Sequence, residues 1–307
     1  MNILIIGSKG FIGSYLKKYF EARGHVIFHA DVIVDYREGP NYFLVDASNA
    51  DFVSIFRNKR FDVCINCSGA ASVPQSMQWP GRDFALNTSN VFHILDSIRM
   101  FQPECLFINF SSAAVYGNPD VLPIPEDLPP RPMSPYGIHK LMSEQICREF
   151  YAFFNIKTCS LRVFSAYGEG LTKQLFWDIA QKIKMGNSIE LFGTGNESRD
   201  FIYIEDLAAA VNSVIVNGSF TGEAINVANG SETTIREAVN TFLDVFEKPV
   251  KVHFRGEERT GDPLNWCANT SKLMSFGFRP KFSLYAGLSN YVNWLHEEDY
   301  LTKKSVY

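Results

Sequence analysis

No apolar run in this sequence is long enough to span a bilayer. Nor does a basic segment lead into a long apolar stretch near residue 1, where "NILIIGSKGFIG" looks instead like a strand and a turn. Basic runs are missing too. Lys and Arg total 29 against 33 Asp and Glu, a formal net charge of −4, which makes nucleic acid and anionic membrane surfaces poor partners. The six histidines (25, 29, 93, 139, 253 and 296) show no metal-ligand spacing, and no metal is expected. Linker-like, repeated and low-complexity segments are absent. These absences leave a soluble, cytoplasmic protein of 307 residues, 46% of them hydrophobic, with room for a sizeable core in two joined lobes.

Cysteine is also scarce, at six residues, yet two of them form "CINC", Cys64 and Cys67. In a redox or metal site that spacing usually sits on a turn or at a helix start. Here it lies inside "FDVCINCSG", a short apolar run that reads as a buried strand. Strand residues alternate faces, so positions three apart point oppositely and cannot share a metal. Both are read as structural cysteines.

What is present is a strand–helix alternation: "NILIIG", "FIGSYLKKYFEARG", "HVIFHAD", then "YFLVD", "FDVCINC" and "CLFINFS". The pattern predicts an α/β fold with a doubly wound parallel sheet of Rossmann type. The first strand runs into "GSKGFIG", with Gly7, Gly10 and Gly13, and with Phe11 and Ile12 opening the helix. Such glycines permit a tight turn, close approach of a pyrophosphate and close helix–strand packing, and the helix amino terminus offers free N–H groups. Asp31 ends the second strand, where a carboxylate holds a ribose diol and repels the extra phosphate of NADP. NAD is therefore the expected cofactor. Asp46, after "YFLV", either touches the adenine edge or lies on a surface turn.

A second feature is "MSPYGIHKLMSEQ", where Tyr136 and Lys140 lie four residues apart behind a Ser-Pro. A Pro in the first turn pre-sets a helix, and residues four apart share a face. An ammonium beside a phenol favours the phenolate and lowers its pKa, giving a proton donor and acceptor near neutral pH. By itself the pair is also what chance places in many helices.

Taken together, the motifs resemble those of the extended short-chain dehydrogenase/reductase family, especially its NAD-dependent nucleotide-sugar epimerases and dehydratases. The stretches "GSKGFIG", "NFSSAAVYG", "SPYGIHK", "LRVFSAYGEG", "ELFGTGNESRDFIYIEDLA", "EAINVANG" and "RTGDPLNWCANTSKL" carry the resemblance in the family's order. It implies that Tyr136 is the catalytic acid/base, that Lys140 holds the nicotinamide ribose and depresses the tyrosine's pKa, and that Ser112 hydrogen-bonds the sugar O4. Tyr116 matches a structural tyrosine. Asn87 falls on a helix lining the cofactor site, or bonds its own helix backbone. In the second half, Arg199 and the pair Arg259 and Asp262 match residues that reach the diphosphate and nucleotide ribose, and bidentate donors suit phosphate oxygens. Phe192 would lie against the nucleobase, or fill core.

The fold does not choose among the family's reactions. Dehydratases resembling this chain carry an Asp-Glu pair where this sequence has Ala113 and Ala114, and without an acid and base that elimination is disfavoured. The expected activity is epimerisation of a nucleotide-diphosphate sugar by transient oxidation at C4. The alternative is NAD(P)H-dependent reduction of a 4-keto-6-deoxy sugar nucleotide, for which Arg37 could reach a 2′-phosphate. One departure from the resemblance is Ser165, in "FSAYG", replacing an asparagine aimed at the diphosphate; Lys173 or Gln174 could compensate. Ala70 and Ala71 replace a lysine-bearing loop, which opens the choice of sugar. The expected division is a cofactor domain over 1–164, joined by about 201–228, and a smaller sugar-nucleotide lobe over 165–200 and 229–307. The resemblance also implies a homodimer through helices near 83–101 and 136–154, the second carrying Phe150, Tyr151, Phe153 and Phe154.

Overall fold

The computed structural model describes residues 1–47, 49–256 and 263–304. Its strands, in chain order, are β1 (Asn2–Ile6), β2 (Val26–Asp31), β3 (Tyr42–Leu44), β4 (Val63–Asn66), β5 (Leu106–Ser112) and β6 (Thr158–Val163). They are followed by β7 (Ser165–Tyr167), β8 (Ser188–Leu191), β9 (Ser198–Tyr203), β10 (Thr221–Val227), β11 (Glu232–Thr234) and β12 (Lys251–Phe254). Seven of these form one sheet in the order β10-β6-β5-β4-β1-β2-β3, with every neighbouring pair parallel. The strands expected from the apolar runs are β1 to β5.

Central strands covered on both faces need apolar residues at successive positions, not alternate ones. β1 shows how the two faces are used. Ile3 and Ile5 enter one core cluster with the Phe11–Glu21 and Ile204–Asn217 helices, while Leu4 and Ile6 enter the other with the Asn90–Phe101 helix. β4 does the same with its cysteines. Cys64 packs into the second cluster and Cys67, just past the strand, against the first. All six cysteines are free thiols, and burial pushes those of Cys64 and Cys67 well up.

The strand order reverses between β1 and β4, so a crevice opens beyond their carboxyl ends, the usual ligand position of a doubly wound sheet. The rest is a smaller mixed arrangement: β11-β9-β7, with β11 antiparallel and β7 parallel to β9, and the parallel pair β12-β8. A third apolar cluster, which includes Val115, Tyr116, Phe164, Ala228 and Ala268, joins it to the large sheet. β10, the outermost strand beside β6, and the Ile204–Asn217 helix return to the large sheet after β9. No helix among the described residues is long and apolar enough to cross a membrane.

Candidate active site

The turn after β1 is shaped by contact distances that exclude side chains. Gly7 has φ +82°, and a Cβ there would lie 2.7 Å from the Ser68 backbone nitrogen. A Cβ on Gly13 would lie 2.2 Å from the Gly7 carbonyl oxygen, so the Phe11–Glu21 helix abuts the turn directly. Gly10 donates to the Gly7 carbonyl at 3.1 Å and precedes the helix without any side-chain cap. The first-turn N–H groups of Phe11, Ile12 and Gly13 therefore have no intrahelical acceptor and face the crevice end of the sheet. A bare cradle of this kind fits a pyrophosphate. Asp31 closes β2 beside it, its Oδ2 accepting the Lys9 backbone N–H at 2.8 Å and its Oδ1 that of Val32 at 2.8 Å. Asp46 lies beyond β3, exposed, accepting the Asn49 N–H at 3.3 Å.

Tyr136 and Lys140 occupy the first turns of the Pro135–Phe154 helix. Pro135 is its first residue and Ser134 its cap, accepting from Gly137 N–H at 3.1 Å. Gly137 lets this helix press on the Ala113–Val115 turn, where a Cβ would come within 2.6 Å of the Ala114 carbonyl oxygen. That approach sets the Tyr136 phenol beside the Ser112 hydroxyl, which favours the phenolate. Ser112, ending β5, is itself held by the Ala114 N–H at 3.1 Å. The Tyr136 backbone N–H donates to Ser76 Oγ at 3.1 Å. Lys140 is buried, donates to the Phe110 carbonyl at 2.8 Å, and places Nζ 6.0 Å from the Tyr136 ring centroid.

The electrostatics correct one expectation. Lys140 was expected to depress the phenol, but burial dominates and raises Tyr136 above the ordinary tyrosine value, with the Ser112 hydroxyl opposing it. The lysine is the group whose pKa falls: burial brings it to about 8, against the attraction of Asp83. Distance and desolvation explain the difference.

Asn87 lies on a π-turn, Ala85–Ser89, a distortion frequent at functional sites. Its Nδ2 donates to the Ala70 carbonyl at 3.1 Å, and its Oδ1 is buried with no hydrogen-bond partner among the described residues. A Cβ on Gly69 would meet that Oδ1 at 2.4 Å and Lys140 Nζ at 3.5 Å. Asn87, Gly69 and Lys140 thus converge where β4 ends, and the bond to Ala70 spans to another segment rather than to the asparagine's own helix. Sequence reasoning missed a neighbour of this group. Asp83 Oδ2 lies 2.6 Å from His139 Nδ1, its Oδ1 is buried without a hydrogen-bond partner among the described residues, and its charge acts on both Tyr136 and Lys140. The available signal was that Asp83 stands four residues before Asn87 and His139 beside Lys140.

The remaining recognition residues lie on the smaller sheets. Arg199, on β9, donates to the carbonyls of Ser198 at 2.7 Å and Leu264 at 3.2 Å, with its guanidinium 5.6 Å from the Trp266 ring. Ser165 opens β7, half-buried and paired in register with Phe201. Phe192 is not core: it is 47% exposed, with the Arg255 guanidinium 5.4 Å from its ring centroid. Arg259 and Asp262 lie outside the described residues.

The model of a family described as "NAD dependent epimerase/dehydratase family" matches residues 3–228. A bifunctional UDP-glucose 4-epimerase and UDP-xylose 4-epimerase of Arabidopsis thaliana is 29% identical, across 96% of this chain and 95% of its own length. A crystal structure of UDP-glucose 4-epimerase of Thermus thermophilus in complex with NAD aligns with a TM-score of 0.86 at 26% identity, covering 96% of this chain and 99% of that one. A UDP-N-acetylglucosamine 4-epimerase of Methanobrevibacter ruminantium M1, in complex with UDP-N-acetylmuramic acid, aligns equally well, with a TM-score of 0.86 at 25% identity over 97% of this chain and 98% of that one.

Proposed function

The chain belongs to the NAD dependent epimerase/dehydratase family, and from that premise we propose that it is an NAD-dependent 4-epimerase of a UDP-sugar. The observation that carries the reading is the Tyr136 phenol set beside the Ser112 hydroxyl, with Lys140 one turn behind, at the crevice edge that the glycine turn also faces. The bare turn at Gly7, Gly10 and Gly13 suits the pyrophosphate of NAD, Asp31 its adenosine ribose, and Lys140 with Asn87 the nicotinamide end. When bound there, NAD supplies a reversible hydride acceptor and a positive charge.

Tyr136 takes the proton of the sugar 4-hydroxyl as that carbon is oxidised, and returns it when the sugar has presented its other face. Ser112, fixed by the Ala114 N–H, bonds the same oxygen and steadies it during transfer. Arg199, and Arg259 with Asp262, anchor the diphosphate and nucleotide ribose while the sugar turns, and Phe192 offers an exposed ring for the base. Ser165 has a single hydroxyl where relatives would place an amide, so the diphosphate rests mainly on arginine. Ala113 and Ala114 offer no carboxylate for elimination of water. The 4-epimerase relatives bear names with glucose, xylose and N-acetylglucosamine, so the sugar is left to assay.

The cofactor unit is taken as 1–164 with about 201–228, and the sugar-nucleotide lobe as 165–200 with 229–307. A cytoplasmic homodimer fits these assignments. The Asn90–Phe101 and Pro135–Phe154 helices and the short Pro80–Phe84 helix expose Phe84, Phe92, Ile138, Met142, Phe153 and Phe154, an apolar face suited to a second copy of the chain.

Denaturing the purified protein and identifying the released nucleotide tests the reading. Near-stoichiometric NAD, followed by interconversion of a UDP-sugar pair without added cofactor, is the expected result. A protein that carries no nucleotide and turns over only with NADH or NADPH and a 4-keto sugar nucleotide would replace it with the reductase.

A further inference from the structure

Around the adenosine end of the cradle, cations and carboxylates are interleaved. Lys9, in the glycine turn, carries both. Its backbone N–H holds Asp31 at 2.8 Å, and its ammonium bonds Asp35 at 3.0 Å and also Glu38. Glu38 receives Lys17 at 3.3 Å and faces His29 Nε2 at 3.4 Å. Burial holds His29 below its ordinary value, so it adds little charge at neutral pH. Arg37 forks onto Asp35 through Nε at 3.0 Å and Nη2 at 3.1 Å, leaving its side chain 91% exposed. Lys9, Lys17 and Arg37 are the donor set that would bind a 2′-phosphate, yet each is engaged by Asp35 or Glu38.

We propose that Asp35 and Glu38, rather than Asp31 alone, make this chain select NAD over NADP, by occupying the three cations that could otherwise receive the 2′-phosphate. The inference rests on the dinucleotide reading above. Asp31 is the residue that would bond the ribose diol; Asp35 and Glu38, one lysine side chain away, determine what charge can sit beside it. The glutamate is held below the ordinary carboxylate range by Lys9, which is raised in turn, so both stay ionised at neutral pH. Three cations against Asp31, Asp35 and Glu38 leave the site without net positive charge. Neutralising Asp35 and Glu38 would leave it with an excess of two.

The test is equilibrium binding of NADH and of NADPH to nucleotide-stripped protein, followed by nicotinamide fluorescence at low and high salt, in the wild type and in Asp35→Asn/Glu38→Gln. The double variant should bind NADPH about tenfold more tightly than the wild type, equivalent to about 1.4 kcal/mol. Its NADH affinity should change far less, and the gain should shrink with salt. An unchanged NADPH affinity, or equal losses for both nucleotides, would overturn the proposal by making the carboxylates mere supports of the loop. Wild-type protein that bound both nucleotides equally would overturn it while keeping the dinucleotide site. Protein that bound neither would overturn both. Should the double variant misfold, Glu38→Gln alone decides, because it leaves Arg37 on Asp35 and frees Lys17.

Discussion

Tyr136 and Lys140 are neighbours that burial drives in opposite directions, the phenol up and the ammonium down to about 8. The lysine's ordinary value is 10.5, so between about pH 8 and 10.5 the folded chain holds fewer protons than the unfolded one, and this group's contribution makes stability rise with pH across that window. Below pH 8 the ammonium is charged in both states and its burial penalty is fully present. Catalysis needs the charged form beside the phenol and ribose, so turnover should fall as pH passes through about 8 while this stability term improves. A pH–rate profile set beside urea unfolding at the same pH values checks the opposition, and Lys140→Met should remove both trends. Replacing Tyr136 by Phe deletes the proton carrier and should cut interconversion of the UDP-sugar about 10²–10⁴-fold, the usual worth of a general acid/base. Its thermal melt should be unchanged. A Phe variant with near-normal turnover would reassign the proton to Ser112.

At the scale of elements, the site depends on two close approaches and one buried ion pair. The Phe11–Glu21 helix meets its turn through Gly13, where a Cβ would stand 2.2 Å from the Gly7 carbonyl. Gly13→Ala should therefore push the helix away and strip the protein of co-purifying nucleotide, read by absorbance of the denatured supernatant. The ion pair is Arg162 of β6 with Glu144 of the Pro135–Phe154 helix, both 1% exposed, joined at 2.9 and 2.8 Å. Arg162 also bonds the Tyr116 hydroxyl at 2.8 Å, and Tyr116 donates to Asn226 of β10 at 2.7 Å. Tyr116 thus has the structural place its motif suggested. Arg162→Met would strand a buried carboxylate and should cost about 3–5 kcal/mol in urea unfolding. Arg162→Met/Glu144→Met should recover much of that loss, since it removes both charges together. These elements were legible because their apolar runs and glycine spacings are local. The Arg162–Glu144 pair was not, since nothing local tells an arginine in a strand which helix will cover it.

For the whole molecule, the exposed aromatic face is the feature that a single chain leaves unexplained. Phe153 is 79% exposed on a helix whose other face is packed. Sedimentation velocity should show a dimer at micromolar concentration, and Phe153→Glu with Phe92→Glu should shift it to monomer without loss of secondary structure. A monomeric wild type would return those side chains to ordinary surface.

Strands β1 to β5, the glycine cradle, the acid at the end of β2 and the Tyr136–Lys140 pair could be read from the residues alone, because periodicity and spacing act over a few residues. Tertiary structure decided the rest. It set Asp83 on His139, left Asn87 Oδ1 without a hydrogen-bond partner among the described residues, turned Phe192 outward and tied Arg37 to Asp35 beside Lys9. It also reversed the expected balance at Tyr136. Burial and the meeting of residues from separate segments set these charges, and both exist only once the chain has closed on itself.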